Sequence, residues 1–349
     1  MPSENPKRIL VRGPNWVGDV VMATPMLRAV RAQFPDAHLS VLLRGHLAPL
    51  LESADFVDEI LTIERSDGKG LRRSRGIGRR LKPLGFDLAL LLTNSLSSAL
   101  EVFFAGIPRR IGYAGDGRSL LLTQALPRSR GLFRRPKPRP MVDSYLSIAE
   151  AIGARGVGRN YTLPITKDDE LAAATWFGAA DLETGNGPVV GINPGAHFGS
   201  SKTWVPSRFA AVADRLHQEQ HASIYLMGGP GEEDLLNEVS QQMSAPHFNS
   251  AERIAPLGIL AAVLERMDLL ITNDTGPRSV AQAVGTPTVV IAGPMDTGWT
   301  AANLELSRVL YKEVDCGPCN RPVCRTAHRC MTQIDVVEVV AASIEMLQV

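Results

Sequence analysis

Short apolar runs of strand length, each followed by a helical pattern, recur through both halves of the chain, and this alternation limits its possible folds more than any other feature. Strands separated by helices pair in parallel, because a crossover must return the chain to the same end of the sheet. In the first half, residues 8–13 (RILVRG), 38–45 (HLSVLLRG) and 87–94 (DLALLLTN) read as strands. A helix is expected from Val20 to Gln33, where Val20, Met22, Ala23, Met26, Leu27 and Val30 recur at helical spacing. The second half repeats the plan. There PVVGINPG, SIYLMGG, DLLITND and TPTVVIAGP read as strands, and Ser207–Glu219, Glu232–Gln242 and Pro256–Arg266 as helices. Two doubly wound α/β domains are expected, joined between Ile165 and Gly187, with boundaries set at 1–170 and 171–335 and a terminal helix over 336–349.

At 349 residues and 44% hydrophobic content the chain is long enough for two such cores. No run reaches the roughly 18 to 20 apolar residues that span a bilayer, and the polar start, Met1 to Arg8, does not resemble a signal peptide. A cytosolic protein is expected, with contact to a membrane surface left open. The net charge of +1 conceals an asymmetry. Residues 1–165 hold 25 Lys+Arg against 14 Asp+Glu, and the remainder 12 against 22, so one half is basic and the other acidic. Two segments supply much of the basic excess, Arg72–Lys82 (RRSRGIGRRLK) and Arg128–Pro140 (RSRGLFRRPKPRP). Read as loops, they are either solvated charge or a surface for an anionic partner such as a phospholipid or phosphorylated substrate. Nucleic acid is disfavoured, because the two segments contain only one aromatic residue, Phe133, and no stacking platform.

In doubly wound sheets ligands sit beyond the carboxyl ends of the strands. Four turns there carry chemistry: GPNWVGD, NPGAHFGSSKTW, GGPGEE and NDTGPRS. In the last, Asp274 or Thr275 is placed to cap a helix that Pro277 begins, and Thr275, Gly276, Arg278 and Ser279 surround its N-terminal amides. That is either capping alone or an anion site. GSSKTW offers Ser200, Ser201 and Lys202, but its spacing is not that of a Walker A loop, so an NTPase is excluded. Glu232 either favours a helix dipole or accepts hydrogen bonds from ribose. GPNWVGD lacks the dinucleotide glycine fingerprint. Its carboxylate, Asp19, either complements a helix dipole or acts as a general base. The four cysteines, Cys316, Cys319, Cys324 and Cys330, lie within fifteen residues, and their spacing leaves open a structural metal, local cross-links or free thiols. No Asp-x-Asp pair occurs, so no metal-diphosphate motif is evident and no catalytic metal or other cofactor is expected.

Five ordered blocks, GPNWVGDVVMATP, NSLSSALEVFFAGIPRRIGYAGDGR, NPGAHFGSSKTW, NDTGPRSVAQAVGTPTVVIAGP and CGPCNRPVCRTAHRC, resemble the ADP-heptose:lipopolysaccharide heptosyltransferases of glycosyltransferase family 9, type II in preference to type I. The resemblance runs from about Arg8 to Met331. It implies a GT-B fold of two Rossmann-like domains facing a cleft, the first binding acceptor and the second the ADP-sugar. It also implies inverting transfer of L-glycero-D-manno-heptose from ADP-heptose to the inner-core heptose of Kdo2-lipid A, at the inner face of the inner membrane. By the same resemblance Asp19 is the base, Lys202 meets the diphosphate, Asp274, Thr275 and Gly276 hold phosphate and sugar, and Glu232 meets the adenosine ribose. Asn15, Gly18 and Asn94 fall on the acceptor side. Two positions depart from the family pattern: Ser279 stands where a histidine is usual, and His197 where close members carry Glu. The alternatives are therefore a family member using another nucleotide sugar or acceptor, and a nucleotide-sugar-binding protein without turnover.

Overall fold

A computed structural model describes residues 5–128, 138–178 and 187–349. The chain divides into two compact units, residues 1–162 and 163–349. The first is built on six parallel strands, β1 (Arg8–Arg12), β2 (His38–Arg44), β3 (Glu59–Ile63), β4 (Leu88–Leu91), β5 (Arg109–Tyr113) and β6 (Gln124–Leu126), in the order β3-β2-β1-β4-β5-β6. Helices α1 (Val17–Met22), α2 (Thr24–Gln33), α3 (Gly70–Leu81), α4 (Leu96–Phe104) and α5 (Met141–Glu150) belong to it. The central strands are apolar through their middles because helices cover both faces of such a sheet. Residues Ile9 to Val11 and Leu88 to Leu91 are accordingly buried.

The helix expected over Val20–Gln33 is two helices. Ala23 closes α1 and opens α2, and Pro25 stands in the first turn of α2, where its missing N–H costs nothing. The basic segment Arg72–Lys82, expected as a loop, is mostly helix α3. Ser74, Ile77, Gly78 and Leu81 recur at three- and four-residue intervals and face inward, so the arginines between them lie outward without interrupting the helix. Of the second basic segment, residues 129–137 lie outside the described residues.

The second unit repeats the design with β7 (Val189–Asn193), β8 (Ser223–Leu226), β9 (His247–Asn249), β10 (Leu269–Asn273), β11 (Thr288–Ala292) and β12 (Ser307–Tyr311), ordered β12-β11-β10-β7-β8-β9, all parallel. Its main helices are α6 (Lys167–Gly178), α7 (Pro206–Gln220), α8 (Glu233–Ser240), α9 (Leu260–Glu265) and α10 (Gly276–Val284), followed by α11 (Arg329–Thr332) and α12 (Val336–Met346). Trp176 of α6 donates its indole N–H to the Arg253 carbonyl at 3.1 Å, which ties α6 into this unit. The residue 170/171 boundary expected from sequence falls inside that helix. The terminal helix α12 packs on α7 and on β10 to β12. Trp204, fully buried, meets Phe209 edge to face at 5.1 Å and donates its indole N–H to the Ile334 carbonyl at 3.1 Å. Among the described residues no helix is long and apolar enough to cross a membrane.

Candidate active site

Each sheet reverses its strand order once, between β1 and β4 in the first unit and between β7 and β10 in the second. The residues singled out from sequence gather at these two points. In the first unit the chain leaves β1 through Gly13 and enters α1, whose first turn carries Gly18 and Asp19. The Tyr145 hydroxyl, on α5, donates to Asp19 Oδ1 at 2.9 Å. Burial, reinforced by the Asp19 charge, pushes the Tyr145 phenol well above its ordinary range, so it remains a protonated donor to a carboxylate. Asn15 Oδ1 accepts from Arg44 Nε at 3.1 Å, and Asn94 is exposed after β4.

Beneath this turn lie charged residues that sequence reasoning passed over. Arg12, at the end of β1, is buried and reaches Glu101 Oε2 at 2.8 Å, while its Nη1 donates to the Gly13 carbonyl at 2.6 Å. Glu101 is fully buried on α4, so an internal ion pair fixes the first peptide of the GPNWVGD turn. Arg118, also fully buried, donates from Nε to the Tyr113 carbonyl at 2.9 Å and from Nη1 to the Thr93 carbonyl, which steadies the turn carrying Asn94. Desolvation pushes its pKa down to about 10. The available sequence signal was a lone carboxylate inside the apolar helix segment LEVFF.

In the second unit the ends of β7, β8 and β10 are tied together by side chains. Asn273 donates to the carbonyls of Pro194 and Gly195 at 2.7 and 3.3 Å, and Asn193 donates to Thr272 Oγ1 at 3.0 Å and to Thr275 Oγ1 at 3.3 Å. Lys202 Nζ reaches the Asp274 carbonyl at 2.7 Å and lies 3.5 Å from its Oδ2. Arg278 Nη1 donates to Asp274 Oδ1 at 2.7 Å and to Thr300 Oγ1 at 2.9 Å. Burial alone would raise the Asp274 carboxyl, but the charges of Arg278 and Lys202 outweigh it and hold the group below the usual carboxylate range. Thr275 is the N-cap of α10 and makes no side-chain capping bond, so capping does not account for the hydroxyl. Glu232 Oε2 accepts the Gly229 N–H at 2.8 Å, and its carboxylate lies against Gly195, where any Cβ would collide with it.

Lys202, Glu232, Asp274, Thr275 and Gly276 are thus brought to one strand-end region, with Ser200 exposed beside them. Three other expected donor contacts face the interior. Ser201 is 1% exposed and donates to the Arg321 carbonyl, Arg278 is 2% exposed and engaged with Asp274 and Thr300, and Ser279 is 4% exposed. In this arrangement Ser201 and Arg278 brace the turns that follow β7 and β10. His197 is exposed. None of the four cysteines is in a disulfide, and among the described residues no group of three or more His, Cys, Asp or Glu is arranged to hold a metal ion.

Comparison with known proteins places the fold in a family. The family model "Glycosyltransferase family 9 (heptosyltransferase)" matches residues 74–329. The chain is 28% identical to lipopolysaccharide heptosyltransferase 2 of Escherichia coli K12, over 87% of each chain. Among solved structures it is similar to ADP-heptose lipopolysaccharide heptosyltransferase II of E. coli, with a TM-score of 0.77 and 26% identity over 98% of both chains. A family 9 glycosyltransferase from Veillonella parvula shares the fold at a TM-score of 0.86 and 23% identity, covering 98% of this chain and 97% of that one. The two parallel sheets with interleaved helices are those of the GT-B heptosyltransferases. The chain belongs to glycosyltransferase family 9, the heptosyltransferases.

Proposed function

We propose that the chain transfers L-glycero-D-manno-heptose from ADP-heptose, with inversion, to the inner-core heptose of a phosphorylated Kdo2-lipid A acceptor. The observation that carries this reading is the convergence of Lys202, Glu232 and the start of α10 at the β7/β10 strand ends. An ammonium beside helix N-terminal amides suits a diphosphate, and the same groups stabilise the charge that develops on departing ADP. Glu232 supplies acceptor oxygens for the adenosine ribose.

Asp19 takes the proton of the acceptor hydroxyl as that oxygen attacks the anomeric carbon and the ADP oxygen leaves. Tyr145 donates a hydrogen bond to this carboxylate at 2.9 Å and orients it. One displacement with one base inverts the anomeric centre and forms no covalent sugar intermediate. The basic first half faces an acceptor rich in phosphates and carboxylates. The outward arginines of α3, among them Arg72, Arg75 and Arg79, suit the anionic inner surface of the inner membrane.

Asp19→Asn tests the assignment, with heptose transfer and ADP binding measured on the same preparation. Transfer is expected to fall about a hundredfold or more, the lower range of general-base contributions, with ADP affinity unchanged. Near-normal turnover in the variant removes Asp19 from the mechanism. A wild-type chain that binds ADP and transfers nothing identifies a binding protein.

A further inference from the structure

The cysteine segment remains without a role in this reaction, yet it lies against the turn that carries Lys202. Ser201 N–H donates to the Pro322 carbonyl at 3.0 Å, and Ser201 Oγ donates to the Arg321 carbonyl. His328 Nε2 donates to the Ser201 carbonyl at 2.7 Å. Gly199, with φ of +143°, lies so close to the Pro322 carbonyl that any side chain would strike it. Arg321, Pro322 and His328 therefore hold the Ser200–Lys202 turn from within the cysteine segment.

Within that segment two thiols flank one hydroxyl. Cys316 Sγ lies 3.8 Å and Cys324 Sγ 3.5 Å from Thr326 Oγ1, and Cys324 Sγ also accepts the Thr326 N–H at 3.5 Å. Cys316 is exposed and Cys324 half-buried, whereas Cys330 is buried. Hydrogen bonds from the Thr326 side chain and backbone draw the Cys324 thiol below its ordinary range, while burial and then the neighbouring thiols push Cys330 upward. With its Thr326 hydrogen bonds and partial exposure, Cys324 is the candidate nucleophile of the group.

We propose that Cys316 and Cys324 form a reversible thiol–disulfide modification site whose state sets the position of the Lys202 turn and hence donor affinity. The oxidant is a small-molecule disulfide, RSSR. The Cys324 thiolate attacks one sulfur, forming Cys324–S–S–R and expelling RS⁻. The Cys316 thiolate then attacks the Cys324 sulfur, forming the protein disulfide and expelling the second RS⁻. Two protein thiols are oxidised, one RSSR is reduced to two thiols, and the two cysteine protons pass through water to the leaving thiolates. An S–S bond of about 2.05 Å leaves no room for the Thr326 hydroxyl between the sulfurs. Closing it draws residues 316–324 together and moves the Arg321 and Pro322 carbonyls away from Ser201. Loss of these two hydrogen bonds is expected to weaken ADP binding about tenfold.

The effect on affinity rests on the reading of Lys202 as a donor-diphosphate contact, and the test separates the two. The full chain is titrated with glutathione disulfide, cross-links are mapped by peptide mass spectrometry, and ADP affinity is measured by calorimetry before and after. The expected result is a Cys316–Cys324 disulfide, about tenfold weaker ADP binding and recovery with dithiothreitol. Cys316→Ser should bind ADP equally well with and without oxidant, while Cys319→Ser should keep the wild-type response; Cys316 is exposed, so its replacement does not depend on core packing. A different disulfide pairing, an unchanged affinity in the cross-linked chain, or thiols that do not react because the purified chain carries a stoichiometric metal ion each overturns the proposal. Lys202→Met gives the separate answer: undiminished ADP binding in reduced Lys202→Met would overturn the donor-site reading, while the cross-link itself would still form.

Discussion

Both sheets place an aspartate at the point where strand order reverses, and the two are held in opposite ways. Asp19, half-buried, receives a hydrogen bond from Tyr145, a neutral group that stays protonated. Asp274, 8% exposed, lies between two cations, Arg278 and Lys202. A carboxylate oriented by a neutral donor can still accept a proton during a reaction. One clamped by two charges resists protonation and acts as an anchor. One aspartate follows β1 and meets a neutral phenol, the other follows β10 and meets two cations; in the proposed reaction the first is the base and the second fixes the donor-binding turn.

The anchor is best broken from its more buried side. Arg278→Met leaves Asp274 with Lys202 alone and empties the contacts to Thr300. Truncating one member of a buried pair typically costs several kcal/mol, and with Lys202 retained a loss of about 3 kcal/mol is expected in urea unfolding. Acid should discriminate further. The Asp274 carboxyl lies below its unfolded value in the native chain, so its contribution is complete above about pH 4 and is lost as pH falls through the lower native value. The variant should lose less stability than wild type across that acidic range. A loss under 1 kcal/mol with an unchanged acid profile would mean that Asp274 is no more an anchor than Asp19.

Lys202 tests the ligand side of the same clamp. Lys202→Met keeps the Arg278–Asp274 pair at 2.7 Å, so folding should survive. The variant removes the ammonium proposed to face the diphosphate. ADP affinity is expected to fall about thirtyfold, roughly 2 kcal/mol, the scale of a charge-assisted contact. Calorimetry with ADP and with adenosine sharpens the assignment, since adenosine binding should change little.

How much of this was legible beforehand follows from which interactions are local. β1, β2 and β4 in the first unit, and β7, β8, β10 and β11 in the second, are legible because strands buried on both faces carry a run of apolar residues. β3, β5, β6, β9 and β12 are not, because they carry polar or partly exposed residues such as Glu59, Arg109 and Gln124. Charge density hid α3, whose inward face holds only Ser74, Ile77, Gly78 and Leu81. Lys202, Asp274, Asp19 and Ser201 can be named from their turns. The partners of the last two cannot, because Tyr145 is 126 residues from Asp19 and Arg321 is 120 from Ser201. Nor does its turn reveal that Arg278 is 2% exposed, since burial is a property of the folded unit.

The smallest expected effect lies at the other aspartate and bears on the comparison most directly. Tyr145→Phe removes one hydroxyl and leaves the ring to fill the same buried space. The lost hydrogen bond stabilised the ionised form of Asp19, so its removal makes protonation easier and moves the acid limb of kcat/KM to higher pH. At the pH optimum kcat should fall about fivefold, roughly 1 kcal/mol, the net value of a single hydrogen bond, while KM for the donor stays constant. A purely packing role for Tyr145 predicts a fall in stability with the pH profile unmoved. Should the profile stay in place while kcat drops, Tyr145 orients the carboxylate without governing its proton, and the contrast with Asp274 reduces to geometry. A shifted acid limb with full activity restored on its alkaline side would place the contrast in charge instead: Asp19 tuned by the neutral hydrogen bond from Tyr145, Asp274 held by two cations.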